Sequence, residues 1–186
     1  MRTIETAGFA EQTITKSKFL AWAACCKSEQ EVGSFLRAIA SKHGTASHLA
    51  YAFRIKTDES ILPRFSDAGE PSGTAGKPII QMLEGQQLIN VCVGVIRYYG
   101  GVNLGTGGLA RAYGGTAKMA LYAAKIVPFV EMRLVELTVQ YKRMDELTRT
   151  LMLLKGEIID KVFDDSVHLK ISLPVIETDA FISRFG

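Results

Sequence analysis

The sequence lacks long hydrophobic runs and contains little cysteine. No run of about 18 consecutive apolar residues occurs, so we predict no membrane-spanning helix and no membrane partner. The N-terminal residues Met1–Glu5 lack the apolar segment of a secretory signal. Three cysteines, Cys25, Cys26 and Cys92, cannot all pair, and two adjacent cysteines do not make a disulfide framework. We therefore expect a protein of the reducing cytoplasm.

Acidic residues are also absent from one long segment. No Asp or Glu occurs between Gly85 and Val130, where the cations are Arg97, Arg111, Lys118 and Lys125. Residues 1–128 carry 14 Lys and Arg against 9 Asp and Glu, whereas residues 129–186 carry 8 against 10. A positive surface attracts phosphates over about 8 Å at physiological salt. The segment therefore predicts a basic face, unless much of it is buried.

The rest of the composition is typical of a globular protein. The 186 residues are 47% hydrophobic and 22% charged. This length allows one domain or two small ones. The pattern of strands and helices restarts after Pro128, so we predict an N-terminal domain over residues 1–128 and a C-terminal domain over residues 129–186. Both mix helices and strands, which makes the predicted fold class α+β.

The N-terminal domain has two well-marked elements. An apolar stripe predicts a helix that Ser28 caps, with Glu31 completing a capping box, and that Gly44 ends. Residues 88–99 form an apolar run without regular alternation of polar residues, which predicts a strand inside a sheet with both faces covered. The remaining predicted elements are strands 2–9 and 17–25, paired as a hairpin over Glu11–Thr13, strand 48–55, and helices 78–84 and 106–124.

The C-terminal domain has the pattern of a ferredoxin-like split unit. The predicted elements are strand 134–140, helix 142–155, strands 157–163 and 167–173, and helix 175–185. This β-α-β-β-α order is that of the ferredoxin-like unit without its last strand. The chain stops at Gly186, where that strand would begin, so we expect either a truncated domain or a partner that completes the sheet.

A glycine-rich loop at residues 66–76 predicts an anion site. Gly76-Lys77 is similar to the end of a P-loop, but the glycine five residues earlier is replaced by Pro71, and Pro78 follows the lysine. A helix start at Thr74–Pro78 can nevertheless hold one phosphate through N–H groups and the Lys77 ammonium. The hydroxyls of Ser72 and Thr74 would assist. A capped helix with a solvated lysine is the equal alternative.

The acids of this loop and the nearby histidine are candidates for other chemistry. Asp67 and Glu70 are candidates for a general acid–base pair or a Mg²⁺ site, but a carboxylate in such a loop more often caps its own N–H groups. His48 either lines the site or has a structural role. The three histidines show no ligand spacing, and no nucleophile triad is recognisable. We therefore predict no metal, no cofactor and no catalytic residues.

Arginines and tyrosines alternate further along the acid-free segment. Arg97-Tyr98-Tyr99 ends the apolar strand, and the next helix carries Arg111, Tyr113 and Lys118. Guanidinium groups bind phosphates bidentately, and tyrosines stack on bases for ~1–3 kcal/mol each. Neighbours on a strand point to opposite faces, so one of Tyr98 and Tyr99 should face outward. These residues are our candidates for contacts with RNA.

Two blocks of this sequence resemble the signatures of the IMPACT/YigZ family. They are SDAGEPSGTAGKP at residues 66–78 and RYYGGVNLGTGGL at residues 97–109. The resemblance implies an N-terminal domain with the left-handed βαβ fold of elongation factor G domain IV, and a ferredoxin-like second domain similar to its domain V. It also implies a role in translation, because eukaryotic members are translational regulators that compete for the activator of a starvation-responsive initiation-factor kinase. Ala68 stands where the family often has a second acid, which weakens a metal or acid–base role.

The function that we predict from the sequence is binding rather than catalysis. The leading hypothesis is a non-enzymatic cytoplasmic module whose basic, glycine-rich face docks RNA, the ribosome or translation factors. A second hypothesis is an enzyme that acts on a small phosphorylated substrate in the 66–78 loop. A third is a protein–protein regulator of translation that uses the same loop as its docking epitope.

Overall fold

The computed structural model describes residues 1–186, which form a mixed α+β structure of two compact units, Met1–Phe129 and Val130–Gly186. The α+β class is the predicted one. The first unit contains β1 (Arg2–Thr6), β2 (Gly8–Ile14), β3 (Ser17–Cys25), α1 (Glu29–Lys42), β4 (His48–Lys56), β5 (Ile61–Ser66), α2 (Gly76–Gly85), β6 (Val91–Tyr98), α3 (Gly105–Ala123) and β7 (Lys125–Pro128). No helix of the chain has the length and hydropathy that crossing a membrane requires.

The main sheet of the first unit has five antiparallel strands in the order β2-β3-β6-β4-β5. Strand β6 lies at its centre, paired with β3 on one side and β4 on the other. Residues Val91 to Arg97 of β6 are all buried. The prediction of an interior strand covered on both faces is confirmed, and the continuous apolar run is explained by helices on both sides.

Alternate residues of the sheet face two different layers of helices. Val91, Val93 and Val95 belong to the large core beneath α2 and α3. Cys92 and Ile96 belong to two smaller clusters on the α1 side. Helix α1 begins at the predicted cap, where the Ser28 hydroxyl accepts a hydrogen bond from the Glu31 N–H at 3.2 Å. Because side chains alternate along a strand, a polar residue of β6 reaches the α3 side only if it shares the face of Val91, Val93 and Val95.

Two local predictions for the first unit are wrong. The N-terminal hairpin pairs β2 with β3 and turns at Thr15 and Lys16, which both have positive φ, so the polar residues 11–13 lie inside a strand. Strand β1 instead pairs with β7, a pairing between chain segments far apart in the sequence. Strand β5 was not predicted, because Pro63 and the polar residues around it are untypical of a strand. It lies on a sheet edge, where proline is tolerated.

The second unit contains β8 (Met132–Val139), α4 (Met144–Leu153), β9 (Glu157–Phe163), β10 (Val167–Pro174) and α5 (Val175–Phe185). Its antiparallel sheet has the order β8-β10-β9. Alternate residues of β10, such as Leu169 and Ile171, pack with Leu147 and Leu151 of α4 into one core. The element order is the predicted β-α-β-β-α. The left-handed connection and the likeness to elongation factor G stay predictions.

Candidate functional site

A cavity of about 570 Å³ lies at one end of the main sheet. Its walls come from the start of β4, the end of β6, the glycine-rich loop and the start of α3. The residues that determine its chemistry are His48, Glu70, Arg97, Tyr99, Gly105 and Thr106. Both signature blocks of the sequence contribute residues to this cavity. The sequence did not predict which of their side chains meet.

The floor of the cavity is a buried ion pair. Arg97 Nη1 donates to Glu70 Oε1 at 2.8 Å and to Oε2 at 3.1 Å. Arg97 is only 5% exposed and Glu70 only 9%. Because Arg97 follows Val95 on the same face of β6, its side chain points toward α3 rather than α1. The pair makes the floor electrically neutral, so Arg97 is not the free surface cation that the sequence predicted.

Two further side chains complete this network. The Tyr113 hydroxyl donates to Glu70 Oε1 at 2.7 Å, and Arg97 Nη2 donates to the Ser17 hydroxyl at 3.3 Å. Burial raises the pKa of the Tyr113 hydroxyl well above its usual range, and the hydrogen bond to the Glu70 carboxylate raises it further. Tyr113 is fully buried, so the prediction that it stacks on a base is wrong. Ser17 was missed, and nothing in its sequence surroundings distinguishes it.

His48 lies beside this network. It is directly opposite Arg97 in the pairing of β4 with β6. Its Nδ1 is 2.8 Å from the carbonyl oxygen of Ala68, which can only accept, so Nδ1 carries the proton. Its Nε2 is 3.9 Å from Glu70 Oε1. Of the two alternatives for His48, its place in the cavity wall favours the one in which it lines the site.

Asp67 occupies the predicted anion site. Its Oδ2 accepts from the Gly73 N–H at 2.8 Å, and its Oδ1 accepts from Ala75 and Gly76 at 2.9 and 2.8 Å. Burial raises the pKa of the Asp67 carboxyl, but these N–H donors, joined by that of Lys77, outweigh it and lower the pKa overall. The predicted capping of backbone N–H groups is therefore confirmed for Asp67. It is wrong for Glu70, whose carboxylate accepts from the Arg97 and Tyr113 side chains instead.

This capping contradicts the anion site predicted at the start of α2. The N–H groups that would hold a phosphate already bind a carboxylate of the same chain. The Thr74 hydroxyl is likewise used, because it donates to the Pro71 carbonyl at 2.6 Å. Lys77 and Ser72 are exposed at the surface. The alternative of a capped helix with a solvated lysine agrees better with the structure.

The two tyrosines at the end of β6 face opposite sides, as predicted. The Tyr98 hydroxyl is 2.8 Å from His43 Nδ1, on the α1 side of the sheet. Tyr99 is 48% exposed, and the Arg97 guanidinium lies 5.1 Å from the centre of its ring. Tyr99 is therefore the outward residue that lines the cavity, and Tyr98 is not available to a ligand there.

The outer face of α3 carries the remaining predicted cations. Arg111 and Lys118 are exposed, are two helical turns apart and make no ion pair. Lys118 Nζ lies 5.3 Å from the centre of the Tyr122 ring, and Tyr122 is itself exposed. Lys125, further along, forms an ion pair with Glu5. The unpaired arginine and lysine can contact phosphates of a ligand, and the exposed tyrosine can contact one of its aromatic rings.

The two acids of the glycine-rich loop are already engaged by other groups of the chain. No group of three or more His, Cys, Asp or Glu side chains is placed to hold a metal ion. Glu70 is fully engaged with Arg97 and Tyr113, and Asp67 with backbone N–H groups. The two loop acids that were candidates for acid–base chemistry therefore serve the structure of the loop.

A family model and curated relatives that match this chain all point to one family. Residues 15–121 match the Impact N-terminal domain family. An IMPACT family member of Haemophilus influenzae is 34% identical over 175 residues, which are 94% of this chain and 85% of that protein. The IMPACT family member YigZ of Escherichia coli is 33% identical over 178 residues, or 94% of this chain and 86% of that protein.

Solved structures also match. The crystal structure of a hypothetical protein superimposes with a TM-score of 0.73 at 30% identity, covering 98% of this chain and 89% of that one. The two-domain translational regulator Yih1 gives a TM-score of 0.43 at 28% identity, covering 64% of this chain and 46% of that one. The second value is too low to indicate a shared overall arrangement.

Proposed function

The chain belongs to the IMPACT family, and from that premise we propose that it is a non-enzymatic module that binds RNA of the translation machinery through the outer face of α3. The observation that carries this proposal is the pair of exposed cations Arg111 and Lys118, which have no carboxylate partner. The segment around them contains no acid between Gly85 and Val130. No acid of the same segment therefore offsets their positive charge.

Exposed tyrosine side chains support contacts with a single-stranded polynucleotide. Tyr122 lies beside Lys118 on α3, and Tyr99 is half exposed at the cavity. Stacking of a base on an exposed tyrosine adds roughly 1–3 kcal/mol and requires no particular base. The translation machinery enters as the source of the RNA because the family resemblance implies it.

The experiment that tests the proposal measures RNA affinity as a function of salt. Binding driven by counterion release makes the logarithm of affinity fall linearly with the logarithm of salt. We expect Arg111→Ala or Lys118→Ala to reduce that slope by about one each, because each removes one phosphate contact. Lys42→Ala is the matched control, since Lys42 is an exposed lysine on α1, across the sheet. Ribosomes should co-sediment with the protein at low salt and release it at high salt.

Three results would overturn this proposal. RNA binding that does not depend on salt would remove the electrostatic argument. An equal loss of affinity in Lys42→Ala would show that net charge, rather than the face of α3, governs binding. If a purified partner protein bound in place of RNA, and Arg111→Ala had no effect on that complex, the protein–protein regulator would replace the RNA-binding module.

A further inference from the structure

Helix α3 differs from the other two helices of its unit in how it begins. Ser28 caps α1 with its hydroxyl, and Asp67 caps α2 with its carboxylate. Helix α3 has no side-chain cap and no acidic residue in its first turn. The first N–H groups of an α-helix have no partner within the helix and carry partial positive charge. At α3 these groups, from Gly105 onward, have no side-chain acceptor.

This uncapped start opens into the cavity rather than onto a flat surface. Gly105 and Thr106 form part of the cavity wall, together with Arg97 on its floor. The backbone of Gly105 has φ of +69°, and an added Cβ would meet no other atom within 4 Å. The volume next to the helix start is therefore empty, and a ligand group can approach the backbone N–H groups closely.

Arg97 gives a second, independent indication of a ligand. It is 5% exposed, yet its Nε–H has no hydrogen-bond acceptor. Buried donors nearly always have a partner, so an unpaired one calls for an explanation. Arg97 lines the cavity beneath the half-exposed Tyr99 ring, so the unpaired Nε–H belongs to a side chain of the cavity wall.

We propose that this cavity binds a phosphate monoester, with the phosphate at the start of α3 and the organic group against Tyr99. Asp67 shows how an anion fits a helix start in this fold, since its carboxylate accepts from the N–H groups of Ala75 and Gly76 at the start of α2 and from that of Gly73 in the preceding loop. A phosphate at a helix start is held by the same donors. Arg97 is neutralised by Glu70, so the attraction comes from the N–H groups at the start of α3.

The size of the cavity determines the class of ligand. About 570 Å³ exceeds the space that one phosphate group needs and lies within the range typical of small-molecule sites. Leu104, Leu109 and Pro71 supply apolar wall beyond the helix start. A phosphate joined to one small ring fits this combination of a polar end and an apolar wall. The phosphate can belong to a free small molecule or to the 5′ end of an RNA.

The first test locates the site by NMR. Inorganic phosphate and phenyl phosphate are titrated into the ¹⁵N-labelled protein. We expect the amide signals of Gly105 and Thr106 to shift with both ligands, and phenyl phosphate to bind at least tenfold more tightly because of its ring. If neither ligand shifts these amides, or if the shifts occur at Lys77 instead, the proposal is wrong.

The second test changes the charge of the site without endangering the fold. Thr106 is exposed in the first turn of α3, where an acidic residue stabilises a helix. Thr106→Asp should weaken phenyl phosphate binding at least tenfold while leaving the melting temperature unchanged or higher. Thr106→Asn is the matched neutral control and should bind within about threefold of the original protein. Equal binding by all three proteins would overturn the assignment.

The third test distinguishes the two sources of phosphate. Single-stranded RNA with a 5′-phosphate is compared with the same RNA carrying a 5′-hydroxyl, in the original protein and in Thr106→Asp. A preference for the 5′-phosphate that Thr106→Asp abolishes assigns the site to RNA ends, and binding of phenyl phosphate alone assigns it to small molecules. The salt test of Arg111 and Lys118 uses only the 5′-hydroxyl RNA, so failure of one proposal leaves the other intact.

Discussion

The Arg97 guanidinium and the Glu70 carboxylate form an ion pair at 2.8 Å in which both side chains are almost fully buried. The pair connects the glycine-rich loop to the central strand β6, although Glu70 and Arg97 are 27 residues apart in the sequence. Removing two charges from water is costly, and their mutual attraction must compensate for that cost. The loop therefore depends on both partners being present.

Glu70→Gln should destabilise the protein by about 3 kcal/mol, because it leaves the Arg97 charge buried without an anion. Urea unfolding of the two proteins measures the difference. The matched control is Glu11→Gln, which breaks an exposed pair with Lys18 at 3.1 Å and should cost less than about 1 kcal/mol. Replacing Arg97 with Met in addition to Glu70→Gln should recover part of the loss. Similar costs for Glu70→Gln and Glu11→Gln would contradict the argument.

Asp67→Asn should lower stability at neutral pH by about 1–2 kcal/mol, since the carboxylate caps the start of α2. The pKa of Asp67 is lowered in the folded protein, so its stabilisation is present above the unfolded pKa, about 3.9, and is lost as pH falls through the folded value. The free energy of unfolding, measured from pH 7 to pH 2, should therefore decrease more steeply for the original protein than for Asp67→Asn. Parallel curves would show that Asp67 titrates normally.

The two compact units should separate on limited proteolysis. Each has its own hydrophobic core, and the boundary falls between Phe129 and Val130. We expect a stable fragment ending within a few residues of Pro128, identified by mass spectrometry. The fragment 1–129 should retain a cooperative thermal transition, because its cores contain no residue beyond Ile126. Rapid degradation of the whole chain without such a fragment would argue against two independent domains.

The sequence was sufficient for features that depend on local patterns. The apolar run that became β6, the Ser28 cap and the elements of the second unit are all visible in short windows. The opposite directions of Tyr98 and Tyr99 follow from the alternation of side chains along a strand. The capping role of Asp67 follows from the preference of carboxylates for loop N–H groups.

The site was harder to predict because its contacts are distant in the sequence. Glu70 meets Tyr113 across 43 residues, and Arg97 meets Ser17 across 80. A sequence shows the charge of a side chain but not its exposure. The buried, paired Arg97 and the exposed, unpaired Arg111 therefore appear equally basic in the sequence. The same limit explains why Tyr113 was predicted to be a stacking surface although it lies in the core.

The central position of β6 has a consequence for synthesis of the chain on the ribosome. Hairpins β2–β3 and β4–β5 come from segments made earlier, and they share no strand contact except through β6. Until Val91 to Tyr98 have left the exit tunnel, the inner edges of both hairpins, along β3 and β4, have no partner strand. Open strand edges are sites of aggregation. The nascent chain is therefore most exposed to mispairing just before its most apolar strand arrives.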